Sequence, residues 1–388
     1  MTATATGIRG NANLVPIKYD IANVINLRDR NRFPLLSLLT IPSAKDSRGQ
    51  SKSIKKRVTT DPKFYWFEDT FGLERFTGAS TVDATGGTLT LASGGNSLQA
   101  GDVLLVAAQK WVFEVSSITS DTAVVVLAEK GGATATASAV GDVLLIGNAN
   151  EEGARARNIK STTMTEPYGY CQLFRTPIGI TNTAKNTDTW VKENDLDYQR
   201  MKKHTEHLRE IEKSFLFGKL ALSTGGTHSK RFTDGVINKI TTNATANVDT
   251  EAEFLTFLSS QVFAHGNSEK YLFCSSPFLN LIEGWFKNRI QIRQDEKTFG
   301  IKVMTYESSY GTLHLIRHEL LTGTTYGNYG VALDMENLTY RFLQNRDTQL
   351  LPNRQANDED SVVEEYLSEV GLQVEQETTH AVASVSSL

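Results

Sequence analysis

Neither the strand period of 2 nor the helix period of 3.6 persists through the first sixty residues. Apolar positions there come in short bursts, Leu14-Val15-Pro16-Ile17 and then Phe33-Pro34-Leu35-Leu36, separated by basic and polar stretches. A segment patterned this way cannot close a core of its own, so its bursts are expected to dock on something else. An aromatic strand, Phe64-Tyr65-Trp66-Phe67, follows. From about Gly78 to Gly147 charge nearly vanishes, and short β-branched runs alternate with Gly-Gly or Ser-Gly turns, which predicts a compact all-β insertion. Within it, Gly101-Asp102-Val103-Leu104-Leu105-Val106 returns as Gly141-Asp142-Val143-Leu144-Leu145-Ile146. Two copies are too few for a solenoid, but they fit two similar strands after similar turns.

The next segment changes period. Leu196 to Phe217 holds no Pro or Gly, with Asn194 or Asp195 as a start signal and Gly218 as the stop, which predicts one long helix. Met201, Leu208, Ile211 and Phe215 are expected on its apolar stripe, with Lys202–Glu206 and Arg209–Glu212 as surface ion pairs. Thr250-Glu251-Ala252-Glu253 is a capping box opening a second helix that places Phe254, Leu255, Leu258 and Val262 inward and ends at Gly266. Tyr271–Cys274 reads as a buried strand, and Ser276-Pro277 starts a helix with Phe278, Ile282 and Trp285 inward. Strands are expected at 301–306, 313–316, 331–334, 338–343, 366–374 and 381–385. The sum is an α+β chain with a mixed α/β lobe.

Composition narrows the class. A hydrophobic share of 39% against 22% charged over 388 residues is that of a globular chain with a sizeable core. No apolar run approaches the ~20 residues of a membrane helix, and the N-terminus carries no secretory pattern, so folding in a cytoplasm is expected. Cys171 and Cys274 are too far apart and too few for a disulfide framework or a zinc knuckle. The net charge of −4 hides a polarity. Residues 1–63 hold twelve Lys or Arg against four Asp, a local +8, so residues 64–388 carry −12. Lys52, Lys55, Lys56 and Arg57 form the densest basic cluster, and Asp358, Glu359 and Asp360 an acidic one. The two are expected as contacts between subunits, or the basic one as a sequence-blind contact to nucleic-acid phosphates.

Catalytic signatures are missing. His204-Thr205-Glu206-His207 spaces its histidines at i,i+3 rather than the i,i+4 of a zinc helix, with no third ligand to nominate. His314 and His318 share a strand parity, and no thiolate lies close to them in sequence. No phosphate loop, dinucleotide fingerprint or nucleophile elbow occurs. No cofactor, metal or catalytic residue is therefore expected.

The order of parts then matters more than any one residue. A basic arm, a β excursion, a spine helix, an α/β lobe and a strand-rich return resemble the major capsid proteins of tailed bacteriophages, the Hong Kong 97 fold. Glu151-Glu152-Gly153-Ala154-Arg155, Gln172-Leu173-Phe174, Arg209-Glu210-Ile211-Glu212 and Glu364-Glu365-Tyr366-Leu367-Ser368-Glu369 are similar to the lineage of phage SU-ten. The resemblance implies an N-terminal arm at 1–63, an extended loop at 64–165 carrying the insertion at about 78–147, and a peripheral domain at 166–230 with its spine at about 195–217. An axial domain at 231–345 and a C-terminal return at 346–388 complete it. It further implies hexamers and pentamers in an icosahedral shell around double-stranded DNA, assembled in a host cytoplasm. The implied partners are a portal and a scaffold or decoration protein, with no membrane. No Lys, Asn and Glu could be matched to the inter-subunit cross-link some family members form. Two other classes stay open: a tail or baseplate protein whose β module binds a receptor or glycan, and a metal-dependent hydrolase built on the α/β lobe.

Overall fold

The structure is a computed structural model that describes residues 33–40, 56–72, 74–132, 138–153, 155, 157–161, 163–187, 195–285 and 303–386. Two compact units emerge, one from 67–166 and one from the chain on either side of it.

In the larger unit the long helix spans Asp195–Phe217. It packs on a sheet ordered Lys56–Thr59, Leu338–Leu343, Ser361–Val374, Gln172–Thr181, with Gln349–Leu351 as a further partner of Ser361–Val374. Ile211, Phe215 and Leu216 from the helix meet Phe174, Tyr340, Val370 and Leu372 from the sheet in one core. The expected stripe holds for Ile211 and Phe215, but Met201 is exposed. Its inward place is taken by Leu196 and by polar residues, His207 and Glu212, that are fully buried. The surface pairs differ too. Lys203, not Lys202, reaches Glu206 at 2.6 Å, and Glu212 turns away from Arg209 into the interior.

A second sheet runs Ala244–Thr245, Ala381–Ser384, Tyr329–Leu333, Glu269–Cys274, Thr312–Arg317, Val303–Glu307. Its strands alternate sides, as a period of 2 requires. Leu272, Cys274, Leu313 and Leu315 face the helices Glu251–Phe257 and Ser276–Trp285 through Phe254, Phe257, Phe278 and Ile282. Phe273, Ile316, Val331 and Leu333 face the core of the spine helix. One sheet thus serves two cores, which is why these strands read as nearly continuous apolar runs. The capping box at Thr250 and Glu253 is formed as expected.

The smaller unit is a six-stranded barrel. Strands follow the order Arg75–Thr77, Asp142–Asn148, Asp102–Val106, Trp111–Ser120, Ala123–Val126, Gly87–Thr90. Ala92 N donates to Thr77 O at 2.8 Å and Ala79 N to Thr90 O at 2.9 Å, so the last strand returns to the first. Closure leaves no edge to template aggregation. Phe76, Leu89, Leu104, Val106, Phe113 and Val124 fill the interior. The two repeated hexapeptides are antiparallel neighbours, with Leu104 opposite Leu145 and Leu105 opposite Leu144. Gly78 is obligatory, because a Cβ there would lie 2.3 Å from Val140 Cγ1.

Candidate assembly surface

The charged clusters singled out in the sequence separate into groups spent inside the chain and groups left outside. Lys52 and Lys55 lie outside the described residues. Lys56 sits on the strand Lys56–Thr59, parallel to Leu338–Leu343, and pairs with Asp347 while its ammonium lies 5.2 Å from the Tyr340 and Phe342 rings. It pins its own strand. Arg57 is exposed and in register with Arg341. Burial, and then the Arg57 charge, pull the Arg341 pKa below the usual guanidinium range.

On the acidic side, Asp358, Glu359 and Asp360 are all exposed, and Asp360 accepts a hydrogen bond from Asn182. The carboxylates beyond them are different. Glu364 takes Arg200 of the spine helix in a bidentate pair, both contacts at 2.6 Å. Glu365 takes Arg175 in the same fashion, with Nη2 at 2.8 Å. Glu369 meets Arg346 at 2.7 Å. The hydrogen bonds from Arg200 and Arg175 hold Glu364 and Glu365 below the usual carboxylate range. This run clamps helix to sheet.

The tempting histidines are also structural. His207 Nδ1 accepts from Thr176 Oγ1 at 2.8 Å, its Nε2 reaches Ser368 Oγ at 2.7 Å, and Ser368 donates on to Thr348 Oγ1 at 2.8 Å. Burial pushes His207 down to about 4, so the ring is neutral at pH 7. The His204 ring lies 5.2 Å from that of Tyr366, tilted by 55°. Among the described residues no three His, Cys, Asp or Glu gather as a metal set. His314 and His318 do have acidic partners, brought from afar: Glu269 at 2.9 Å and Glu212 at 2.8 Å.

Glu212 is a residue whose role sequence reasoning missed. The burst Phe33-Pro34-Leu35-Leu36 forms a short helix, Pro34–Thr40, docked on the chain's own body through Leu35, Leu36 and Leu39. Proline at its first position has no N–H to satisfy, but the next two do. Glu212 accepts both, from Leu35 N at 2.9 Å and Leu36 N at 2.7 Å. His318 Nδ1 accepts from Leu320 N, which leaves Nε2–H to donate to Glu212. A proline followed by two leucines in a basic arm was the available signal that a buried acceptor was needed.

The exposed apolar side chains are a second group the pattern did not reveal. In the smaller unit, Phe67 and Phe71 on one run and Ile159 and Met164 on the other stand in solvent, Phe71 at 99% and Ile159 at 97% exposure. The two runs are tied by reciprocal backbone bonds between Glu68 and Thr165 at 3.0 and 2.9 Å. In the larger unit, Lys63–Tyr65 pairs with Tyr168–Tyr170 as a ribbon. The Lys63 ammonium lies 4.1 Å from the Tyr168 ring centre and 4.7 Å from that of Tyr65. Under the ribbon, Phe64 is wedged where side chains on Gly169 and Gly371 would come within 2.6 and 3.0 Å of its ring.

Among the described residues the arrangement gathers no metal set and leaves these apolar side chains exposed. No curated protein matches the chain. Solved structures similar to it include that of Mycobacterium phage Bobi, at 8% identity over 93% of this chain and 100% of that one, TM-score 0.43. Mycobacterium phage Patience follows at 12% over 62% and 78%, TM-score 0.39. The SrpI encapsulin complex of Synechococcus elongatus PCC 7942 stands at 9% over 57% and 75%, TM-score 0.40. The assignment rests on none of these. It rests on the family model described as SU10 major capsid protein, which matches residues 2–386. Matched from end to end, the chain belongs to the SU10 major capsid protein family and is a shell-forming protein of the virion capsid.

Proposed function

We propose that copies of this chain form hexamers and pentamers that close an icosahedral shell around phage double-stranded DNA, and that the chain itself catalyses nothing and needs no cofactor. The observation that carries this beyond the family assignment is the exposed set Phe67, Phe71, Ile159 and Met164. A lone protein gains nothing by holding such side chains in water. Covered by a neighbour, each contributes about 1.5–3 kcal/mol, so four supply roughly 6–12 kcal/mol against the ordering cost of association. Contacts that repeat head to tail close into rings of five or six.

In this reading 1–63 is the arm, 64–165 the extended loop, 166–230 the peripheral domain, 231–345 the axial domain and 346–388 the return. Arg57, with Lys52 and Lys55, faces DNA or a neighbouring subunit. A portal and a scaffold or decoration protein complete the particle, which assembles in the host cytoplasm. The pair Phe71→Ser and Ile159→Ser tests the role of the exposed set. The altered protein should keep its unfolding midpoint and lose most of its assembled fraction in sedimentation. Assembly at the parental level would remove these residues from the interface.

A further inference from the structure

Two features of the larger unit lie outside the contacts above: a groove at the C-terminal end of the spine helix, and the acidic loop itself. The groove is lined by Arg209, Lys213, Phe217, Glu319, Leu320 and Thr322. Arg209 Nε is buried with no acceptor, because Glu212, its natural i,i+3 partner, is spent on the arm helix and His318. The C-terminal carbonyls of the helix would oppose an anion, but Asn238 Nδ2 donates to Phe217 O at 2.8 Å and to Gly218 O at 2.7 Å. The groove therefore presents Arg209 and Lys213 beside Glu319, with Phe217 and Leu320 as its apolar part.

The loop is its complement. Ala356–Asp360 is exposed throughout, and the Asp358 carboxylate has no partner among the described residues. Glu359 accepts a long contact from Ala356 N at 3.4 Å. The two features sit at opposite ends of one helix. Arg200, near the start of the spine, holds Glu364, the His204 ring meets that of Tyr366 and His207 reaches Ser368, so the strand Ser361–Val374 runs alongside from the helix start. The loop precedes that strand. From Arg200 to Lys213 the helix rises roughly 20 Å, so a loop cannot reach the groove of its own chain.

We propose that Asp358 and Glu359 of one copy dock on Arg209 and Lys213 of the next, a head-to-tail contact between subunits of the shell. This rests on the shell reading above and names one of its contacts. Complementary patches at opposite ends of one element make a heterologous interface, the type that closes rings. The pairs made by exposed Lys213 are screened by salt.

The test uses the full chain and charge reversal, read by sedimentation and electron microscopy. Asp358→Lys with Glu359→Lys should cut the assembled fraction at least tenfold, as should Lys213→Glu with Arg209→Gln. Unfolding midpoints should not move, and the milder change at half-buried Arg209 protects folding. Joining Asp358→Lys and Glu359→Lys with Arg209→Gln and Lys213→Glu should restore assembly. Parental-level assembly by either reversed protein, or no recovery in a folded combination, overturns the contact and leaves the shell reading standing. A parental chain that never assembles overturns the shell reading and this contact with it.

Discussion

Replacing Glu212 with Ala should undock the arm helix without unfolding the protein. The helix Pro34–Thr40 orders seven residues. At about 1–2 kcal/mol each, that costs about 7–14 kcal/mol. Burying Leu35, Leu36 and Leu39 returns about 1.5–3 kcal/mol apiece, or about 4.5–9 kcal/mol. The two nearly cancel, so the hydrogen bonds of Glu212 decide whether the helix stays. Without the carboxylate, Leu35 N–H, Leu36 N–H and the His318 Nε2–H lose an acceptor in a fully buried site. Breaking such a buried charged network costs about 3–5 kcal/mol, which exceeds the surplus holding the segment. At 1.4 kcal/mol per decade, a loss of about 3 kcal/mol lowers amide protection roughly 100-fold. Hydrogen exchange followed by mass spectrometry should show that loss in peptides covering 33–40, with the strand Ser361–Val374 unchanged. Protection at 33–40 within threefold of the parent would refute the role given to Glu212.

Acid should destabilise the fold well before its carboxylates titrate. His207 and His380 are pushed down to about 4 by burial, from an ordinary 6.5. The unfolded chain therefore binds more protons between those values, and stability falls as pH drops from 6.5 towards 4, by up to about 1.4 kcal/mol per unit for each histidine. Urea midpoints that stay flat from pH 7 to 5 would contradict their buried, neutral state. Gly371→Val should expel Phe64 from its wedge, since even a Cβ there lies 2.5 Å from Tyr170 O, and cost about 2–4 kcal/mol by thermal melting. An unchanged midpoint would sink that packing account. Arg200→Ala should leave Glu364 buried without its guanidinium and cost about 3 kcal/mol. A change under 0.5 kcal/mol would show the clamp to be ornamental.

Much of the frame was legible in the chain. The spine helix was expected over Leu196–Phe217 and spans Asp195–Phe217, because an uninterrupted run, a start signal and a glycine stop are local facts. The capping box and the strands of the α/β lobe were local as well. What escaped was the inward turn of polar residues. His207, Glu212 and His318 are fully buried, whereas pattern reading places charged and polar residues on the outside. Apart from Leu320, two positions from His318, their partners lie 31 to 177 positions away, at Thr176 and Leu35 among others, and no window spans such distances. The same limit hid the exposed Phe71 and Ile159, since periodicity tells which face a residue shares and not whether a neighbour covers it. The repeated Gly-Asp-Val-Leu-Leu was visible; that its two copies pair side by side in a closed barrel required the register.

The most direct test of the shell reading is light scattering with electron microscopy on the purified chain, across protein concentration and salt. Five- or six-fold rings, or closed shells that dissolve as salt rises, are expected. A discrete small oligomer indifferent to salt and concentration would contradict it.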